Sequence, residues 1–407
     1  MRRRTELLWL ALVLVGAFLL SEGMLHALSR VSVTVQRALA APWEVDVPVI
    51  ADPRVIYRGN PLYVQHDARG YRNPSALERA DVVVFGDSHT YGTLVPEPDD
   101  VWPRHLERLT GRSTYSMALP GIGATHALLK LDEAMALHPR VIAVAPYFGN
   151  DLFDAFLLWR ANPNFVDGID PELRAAADRA ETSRALLDEL RAIWPMSQPS
   201  EPAAPDGLRL FLSRHVRLYG LLRSIRWRLS EREIAGYFSP EYEKAVAALP
   251  PASRGFAFPV DAGGFRTILT PQRRGRMLDD DDPRIRLGYE VLLRALVQVS
   301  ERCRSAGVRL IVVPMPTKEA VWFPRIADPE SIGGGLVEAV ADEERLLRDW
   351  TDEMDRLGIE RVDVLAAFRA SPESVYFEHA DGHPKAVGHR LVAELVAAKL
   401  ASTQARR

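Results

Sequence analysis

Residues 82–92 read Val82-Val83-Val84-Phe85-Gly86-Asp87-Ser88-His89-Thr90-Tyr91-Gly92. Three β-branched residues followed by a phenylalanine suit a buried strand of a parallel sheet. Gly86 lets the chain turn sharply at the carboxyl end of that strand. Asp87, Ser88 and His89 follow at once, at the edge where open α/β sheets bind ligands. A hydroxyl delivered there is a candidate nucleophile. Asp and Ser also suit the cap of a following helix, so this stretch alone leaves both readings open.

Outward from it, strand and helix alternate. Helical spacing over 102–109 puts Trp102, Leu106 and Leu109 on one face. A second strand is expected over 113–119, ending at Pro120-Gly121-Ile122-Gly123, and an Ala- and Leu-rich helix over 124–137. A third strand over 141–147 ends at Phe148-Gly149-Asn150-Asp151. After an interruption come a helix over 285–305, a strand over 308–315, a helix over 335–357 and a short strand over 361–364. The last helix, over 384–400, is expected to start with Pro384, a residue that first helical turns tolerate. Strands that alternate with helices and end in Gly-bearing turns predict a doubly wound parallel sheet. The fold expected is a flavodoxin-like α/β/α three-layer sandwich with a helical insertion.

That insertion occupies 161–284. Residues 181–193 and 208–232 have helical character, and Pro-rich stretches over 195–205 and 250–259 separate them. It is expected to be partly a helical cap over the site and partly loop. The basic run 273–276 and the acidic run 279–282 read as solvated loop, with the arginines as an alternative contact for an acidic substrate.

The amino terminus has a different character. Arg2, Arg3 and Arg4 precede fourteen consecutive apolar or Gly residues, Leu7 to Leu20, and apolar character continues to Leu28. Such a length spans about 30 Å of hydrocarbon. No small-x-small cleavage site directly follows, although Ala38-Leu39-Ala40-Ala41 lies downstream. An uncleaved signal anchor is favoured over a cleaved signal peptide. The arginines should then stay cytoplasmic and the remainder lie outside, on the periplasmic or cell-surface side. The chain therefore divides into an anchor over 1–30, a lead-in over 31–80, two halves of one α/β domain over 81–160 and 285–407, and the insertion between them. The net charge of −3 gives no electrostatic case for nucleic acid. Cys303 is the only cysteine, so no intrachain disulfide forms.

The last strand and last helix are joined by Tyr376-Phe377-Glu378-His379-Ala380-Asp381-Gly382-His383-Pro384. A serine nucleophile needs an adjacent base, normally histidine. The histidine needs a carboxylate to fix its tautomer and stabilise the imidazolium. Ser88, His383 and Asp381 supply these three types from opposite ends of the chain, and a parallel sheet brings both loops to one edge. Preorganised donors for an oxyanion are available from the Gly121 turn and the Asn150 amide. His379 and His389 read as surface or packing histidines, Lys318 as an exposed lysine or a substrate contact. His379, Asp381, His383 and His389 also allow a metal reading, which is set aside because further metallophosphoesterase elements are missing.

On Gly86-Asp87-Ser88, Pro120-Gly121, Gly149-Asn150-Asp151 and Asp381-Gly382-His383-Pro384, in that order, the chain resembles the SGNH (GDSL-type) hydrolases. The resemblance implies Ser88 as nucleophile, His383 as base and Asp381 as orienting acid. It implies an oxyanion hole from the Ser88 N–H, the Gly121 N–H and Asn150, with no metal or organic cofactor. His89 stands where the family usually has an apolar residue, and Ser116 where an Asn often precedes the glycine turn. The third block lacks the spacer between Gly149 and Asn150. The Asp-x-His spacing of the last block, and Val313-Pro314-Met315-Pro316-Thr317-Lys318, are similar to membrane-associated and alginate-type O-acetyltransferase relatives. The activity implied is a serine esterase on O-acyl, mainly O-acetyl, esters of extracytoplasmic glycans. The alternatives are an O-acyltransferase to a polysaccharide hydroxyl and an inactive SGNH-shaped glycan-binding protein. The partners implied are an acylated carbohydrate, the membrane and proteins of a polysaccharide-modifying system.

Overall fold

The structure is a computed structural model that describes residues 2–40, 47–183, 185–193, 207–229, 241–253, 255–262 and 264–404. The Pro-rich stretch 195–205 and the end of the helical stretch 208–232 lie outside the described residues.

Two short strands, β1 (Val49–Asp52) and β2 (Ile56–Gly59), pair as an antiparallel hairpin ahead of the main sheet. The main sheet contains β3 (Val82–Gly86), β4 (Thr114–Ser116) and β5 (Val141–Ala145). The insertion adds a separate hairpin of β6 (Phe258–Ala262) and β7 (Phe265–Leu269). Strands β8 (Arg309–Val312) and β9 (Glu360–Arg361) then complete the main sheet. Its order is β4-β3-β5-β8-β9, and every pairing is parallel. This is the 2-1-3-4-5 winding of flavodoxin-like sheets, as expected from the sequence.

The period of two in β3 divides the sheet into two faces. Val83 and Phe85 join Ile142, Val144 and Val312 on one side, under the helices Asp151–Ala161 and Pro283–Ser305. Val82 and Val84 join Val141, Ala143 and Ile311 on the other, under Trp102, Leu106, Val392 and Val396. These positions are almost wholly excluded from water, which explains the unbroken apolar run of β3. The helices Asp151–Ala161 and Pro283–Ser305 approach very closely. A Cβ on Gly288 would lie 1.8 Å from the Leu152 carbonyl oxygen.

Several local expectations are corrected. The helix expected over 124–137 is two short ones, His126–Leu129 and Leu131–Met135, broken at Lys130 (φ −102°, ψ 5°). The last helix starts at Ala386, because Pro384 is instead held in an antiparallel bridge with Tyr376. The strand expected over 361–364 shortens to Glu360–Arg361, since Asp363 caps the helix Val364–Ala370 by accepting from Ala366 N. The basic run is not solvated loop but lies in the helix Pro271–Leu278, while the acidic run 279–282 is a turn with Asp281 exposed. Arg274 and Arg284 are buried, and Arg276 donates to Glu189 and Asp282. Buried charges persist when paired and hydrogen-bonded, and these pairs seat the helix Leu186–Ile193 on the domain.

The amino-terminal helix, Arg2–Val31, contains a segment over 5–31 long and apolar enough to cross a membrane by length and composition. Its apolar window is not buried against the protein.

Candidate active site

The winding direction reverses between β3 and β5, and ligand crevices form at such switch points. The loops after these two strands carry Ser88 and Asn150. Asp87 (φ −89°, ψ −153°) caps the short helix Ser88–Tyr91, its carboxylate accepting from His89 N at 2.9 Å. The two readings of the Asp-Ser pair therefore coexist: Asp87 is the cap, and Ser88 faces a cavity. Gly86 keeps a negative φ; a Cβ there would lie 2.3 Å from Thr90 Oγ1, so close packing rather than a sharp turn explains the glycine.

The cavity, ≈ 130 Å³, is walled by Ser88, His89, Tyr147, Asn150, Arg274 and His383, among others. Asp381 lies in the same wall and accepts from both His383 N, at 2.8 Å, and His383 Nδ1. Burial opposes the charged form of Asp381, but the His383 ring and N–H hold its carboxyl well below the usual carboxylate range. With Nδ1 engaged, His383 Nε2 is buried in this wall without a hydrogen-bond partner. The Ser88 hydroxyl donates to Asp87 Oδ2 at 3.3 Å, not to His383. Such long contacts are common before substrate binds.

The expected oxyanion donors are placed differently from one another. Asn150 lines the cavity, its Nδ2 donating to Asp154 Oδ2 at 2.6 Å and its Oδ1 buried without a partner. Gly121 sits at φ +71° on an exposed turn and is not among the residues that wall the cavity.

His89 has a structural explanation. Its ring stacks on Tyr147 at 3.5 Å and lies 4.7 Å from the His383 ring. Its Nε2 faces the Gly382 carbonyl at 3.0 Å and its Nδ1 faces Asp87 at 3.3 Å. The loop before the last helix is thereby tied to the Ser88 turn, a link that an apolar residue could not make. Burial lowers the His89 pKa.

Sequence reasoning missed Tyr147 and Thr270, and read Arg273, Arg274 and Lys318 as more exposed than they are. Tyr147 is clamped between His89 and the Arg274 guanidinium, whose Cζ lies 5.6 Å from the ring, and its buried hydroxyl has no partner. A Cβ on Gly149 would lie 2.3 Å from that ring, which accounts for the glycine. Thr270, Arg273 and Arg274 reach the cavity from the insertion. Arg274 is held by Glu319 at 3.5 Å and the Gly149 carbonyl at 3.3 Å. Lys318, expected to be exposed, is 1 % exposed and donates to the carbonyls of Phe377 and His379. His379 and His389 are packing residues: Asp381 N donates to His379 Nδ1, and Trp102 N to His389 Nδ1.

The lead-in supports the site from outside. Arg72 donates to the carbonyls of Tyr91, Gly92 and Val95, and His66 Nε2 meets the Tyr91 hydroxyl at 2.8 Å. These contacts fix the end of the Ser88 helix.

The strand order is that of a flavodoxin-like α/β/α fold, and part of the chain has a family match. More particularly, residues 280–407 match the family described as SGNH hydrolase-like domain, acetyltransferase AlgX. That match bears out the resemblance over residues 280–407, which hold the Asp381-Gly382-His383-Pro384 block. No curated protein matches the chain. Among solved structures, the chain is similar to a lipolytic protein of the G-D-S-L family from Desulfitobacterium hafniense (10% identity, 78% of this chain, 97% of that chain, TM-score 0.35). It is also similar to phospholipase A1 from Streptomyces albidoflavus (12% identity, 79% of this chain, 99% of that chain, TM-score 0.36). Both likenesses are distant, and the fold assignment rests on the strand order above.

Proposed function

We propose that this protein is a serine-dependent acyl-transfer enzyme acting on O-acyl, mainly O-acetyl, esters of glycans outside the cytoplasm, held at the membrane by its amino-terminal helix. The observation that supports this best is His383: Asp381 holds its Nδ1, and its Nε2 is left unpaired in the wall of the Ser88 cavity. An unpaired buried nitrogen is costly and is what a general base awaiting a proton requires.

In this reading Ser88 Oγ rotates from Asp87 toward His383, loses its proton to Nε2 and attacks the ester carbonyl. The carbonyl oxygen becomes an oxyanion held by the Ser88 N–H and Asn150, with Gly121 available only if its turn moves inward. The C–O bond to the alcohol breaks, and His383 returns the proton to the leaving alkoxide. Asp381 steadies the imidazolium between these steps. Water then releases the acyl group as an acid. A sugar hydroxyl as acceptor would make the protein an O-acetyltransferase instead, and the family match favours this second reading.

The test is a fluorophosphonate added to the full chain in detergent micelles, with the adduct mapped by mass spectrometry. Label on Ser88 that disappears in His383→Ala is expected. Absence of label on wild-type Ser88 would favour a glycan-binding protein without catalysis. Adding O-acetylated donor with and without a glycan acceptor then separates hydrolysis from transfer.

A further inference from the structure

Asn150 presents an inconsistency if it is to hold an oxyanion. Its donor, Nδ2, is committed to Asp154 at 2.6 Å, and the atom left buried without a partner is the acceptor, Oδ1. An oxyanion needs the reverse. The two ends of a carboxamide exchange places by a half-turn about the last side-chain bond, at no cost in volume. What decides between the two orientations is the neighbour. An ionised Asp154 can only accept, and so captures Nδ2. A protonated Asp154 can donate, and so can capture Oδ1.

We propose that Asp154 is the positioning residue of the oxyanion hole: when its carboxyl is protonated it donates to Asn150 Oδ1 and turns Nδ2 to the face left unpartnered in the Ser88 cavity. The inference rests on Ser88 being the nucleophile. Asp154 lies one helical turn beyond Asn150 on the helix Asp151–Ala161. Its charged neighbours are Asp87 at the end of β3, Asp151 on its own helix and Arg273 from the insertion. Burial first and the Asp87 carboxylate second push Asp154 up to about 7, while the Asn150 amide and Arg273 oppose this. Asp151 is itself raised by burial and by Asp87 and Asp154, so protons are retained in this acidic cluster. The amide is then productive at neutral and lower pH and turned away at alkaline pH.

The experiment measures the rate of fluorophosphonate labelling of Ser88 between about pH 5 and pH 9, on the full chain in micelles. In labelling, Oγ bonds phosphorus, fluoride leaves and His383 takes the proton. In the wild type the rate should fall toward alkaline pH as Asp154 loses its proton. The falling limb should vanish in Asp154→Asn and in Asp154→Ala, which cannot ionise. It should also vanish in Asn150→Ala, where Asp154 remains but has no amide to turn. A limb that persists in any of these variants, or a wild type without one, overturns the proposal while leaving Ser88 as nucleophile. A direct effect of the Asp154 charge would keep the limb in Asn150→Ala, and a merely structural role would lower the rate at all pH without removing it. No label on wild-type Ser88 at any pH overturns the nucleophile reading, and this inference with it.

Discussion

The Lys318 ammonium donates to the His379 carbonyl at 2.6 Å and to the Phe377 carbonyl at 3.0 Å. The loop between Tyr376 and Pro384 is closed at its base by the bridge between those two residues, and Phe377 N donates to the His383 carbonyl. Lys318 fills the inside of that loop. It is thus a positioning residue for Asp381 and His383. Burial lowers its pKa to about 8 despite Glu319 and Asp381 nearby.

Lys318→Met should cost the loop both of these hydrogen bonds, at about 1–3 kcal/mol each. We expect Ser88 labelling to slow by at least about tenfold, which corresponds to 1.4 kcal/mol in the barrier, together with a lower Tm. A variant that labels Ser88 at the wild-type rate would show that the loop holds its shape without the lysine.

The core of this molecule is legible in its sequence because burial on both faces of a parallel strand leaves an apolar run, as at 82–85 and 141–145. The order of the chemical blocks is legible for a related reason: turns at strand ends fix which residues meet at one edge. Lys318, Arg274 and Arg284 are not legible. Each is charged and buried only because carbonyls or carboxylates far along the chain surround it, and nothing local in the sequence records that. Tyr147 lies between these cases. Its place at the end of a strand is visible in the sequence, but its role depends on His89 and Arg274 packing on the ring. The start of the last helix is not legible because Pro384 also suits the bridge to Tyr376, and a proline's fixed φ does not distinguish the two.

Tyr147 supplies a second test of the site. Its ring is fixed between His89 and Arg274, and its hydroxyl is buried and unpaired in the cavity wall. Burial raises its pKa, so it stays a proton donor across the working range. A single donor to an oxyanion is worth about 10²–10³ in rate, and an auxiliary one contributes less. Tyr147→Phe keeps the stack and removes only the hydroxyl. We expect turnover to fall by about tenfold or more, with KM and Tm nearly unchanged. An equal rise in KM at constant kcat would instead make Tyr147 a ground-state substrate contact.

Glu343 gives a stability test independent of catalysis. It is buried and accepts from Thr317 N at 2.8 Å and from the Thr317 hydroxyl. Burial raises its pKa to about 7, against the pull of Thr317. The unfolded chain releases this proton near its ordinary value of 4.5. Between the two values the folded state holds the proton and the unfolded state does not, so stability falls as pH rises through the window. The slope from one such group is at most about 1.4 kcal/mol per pH unit. Glu343→Gln keeps an acceptor for Thr317 N but has nothing to ionise. Relative to wild type it should be less stable or equal near pH 4.5 and should gain steadily toward pH 7, as read from urea unfolding midpoints at several pH values. A stability difference that stays flat across that range would show that Glu343 is already ionised in the folded protein, with Arg274 carrying the compensating charge.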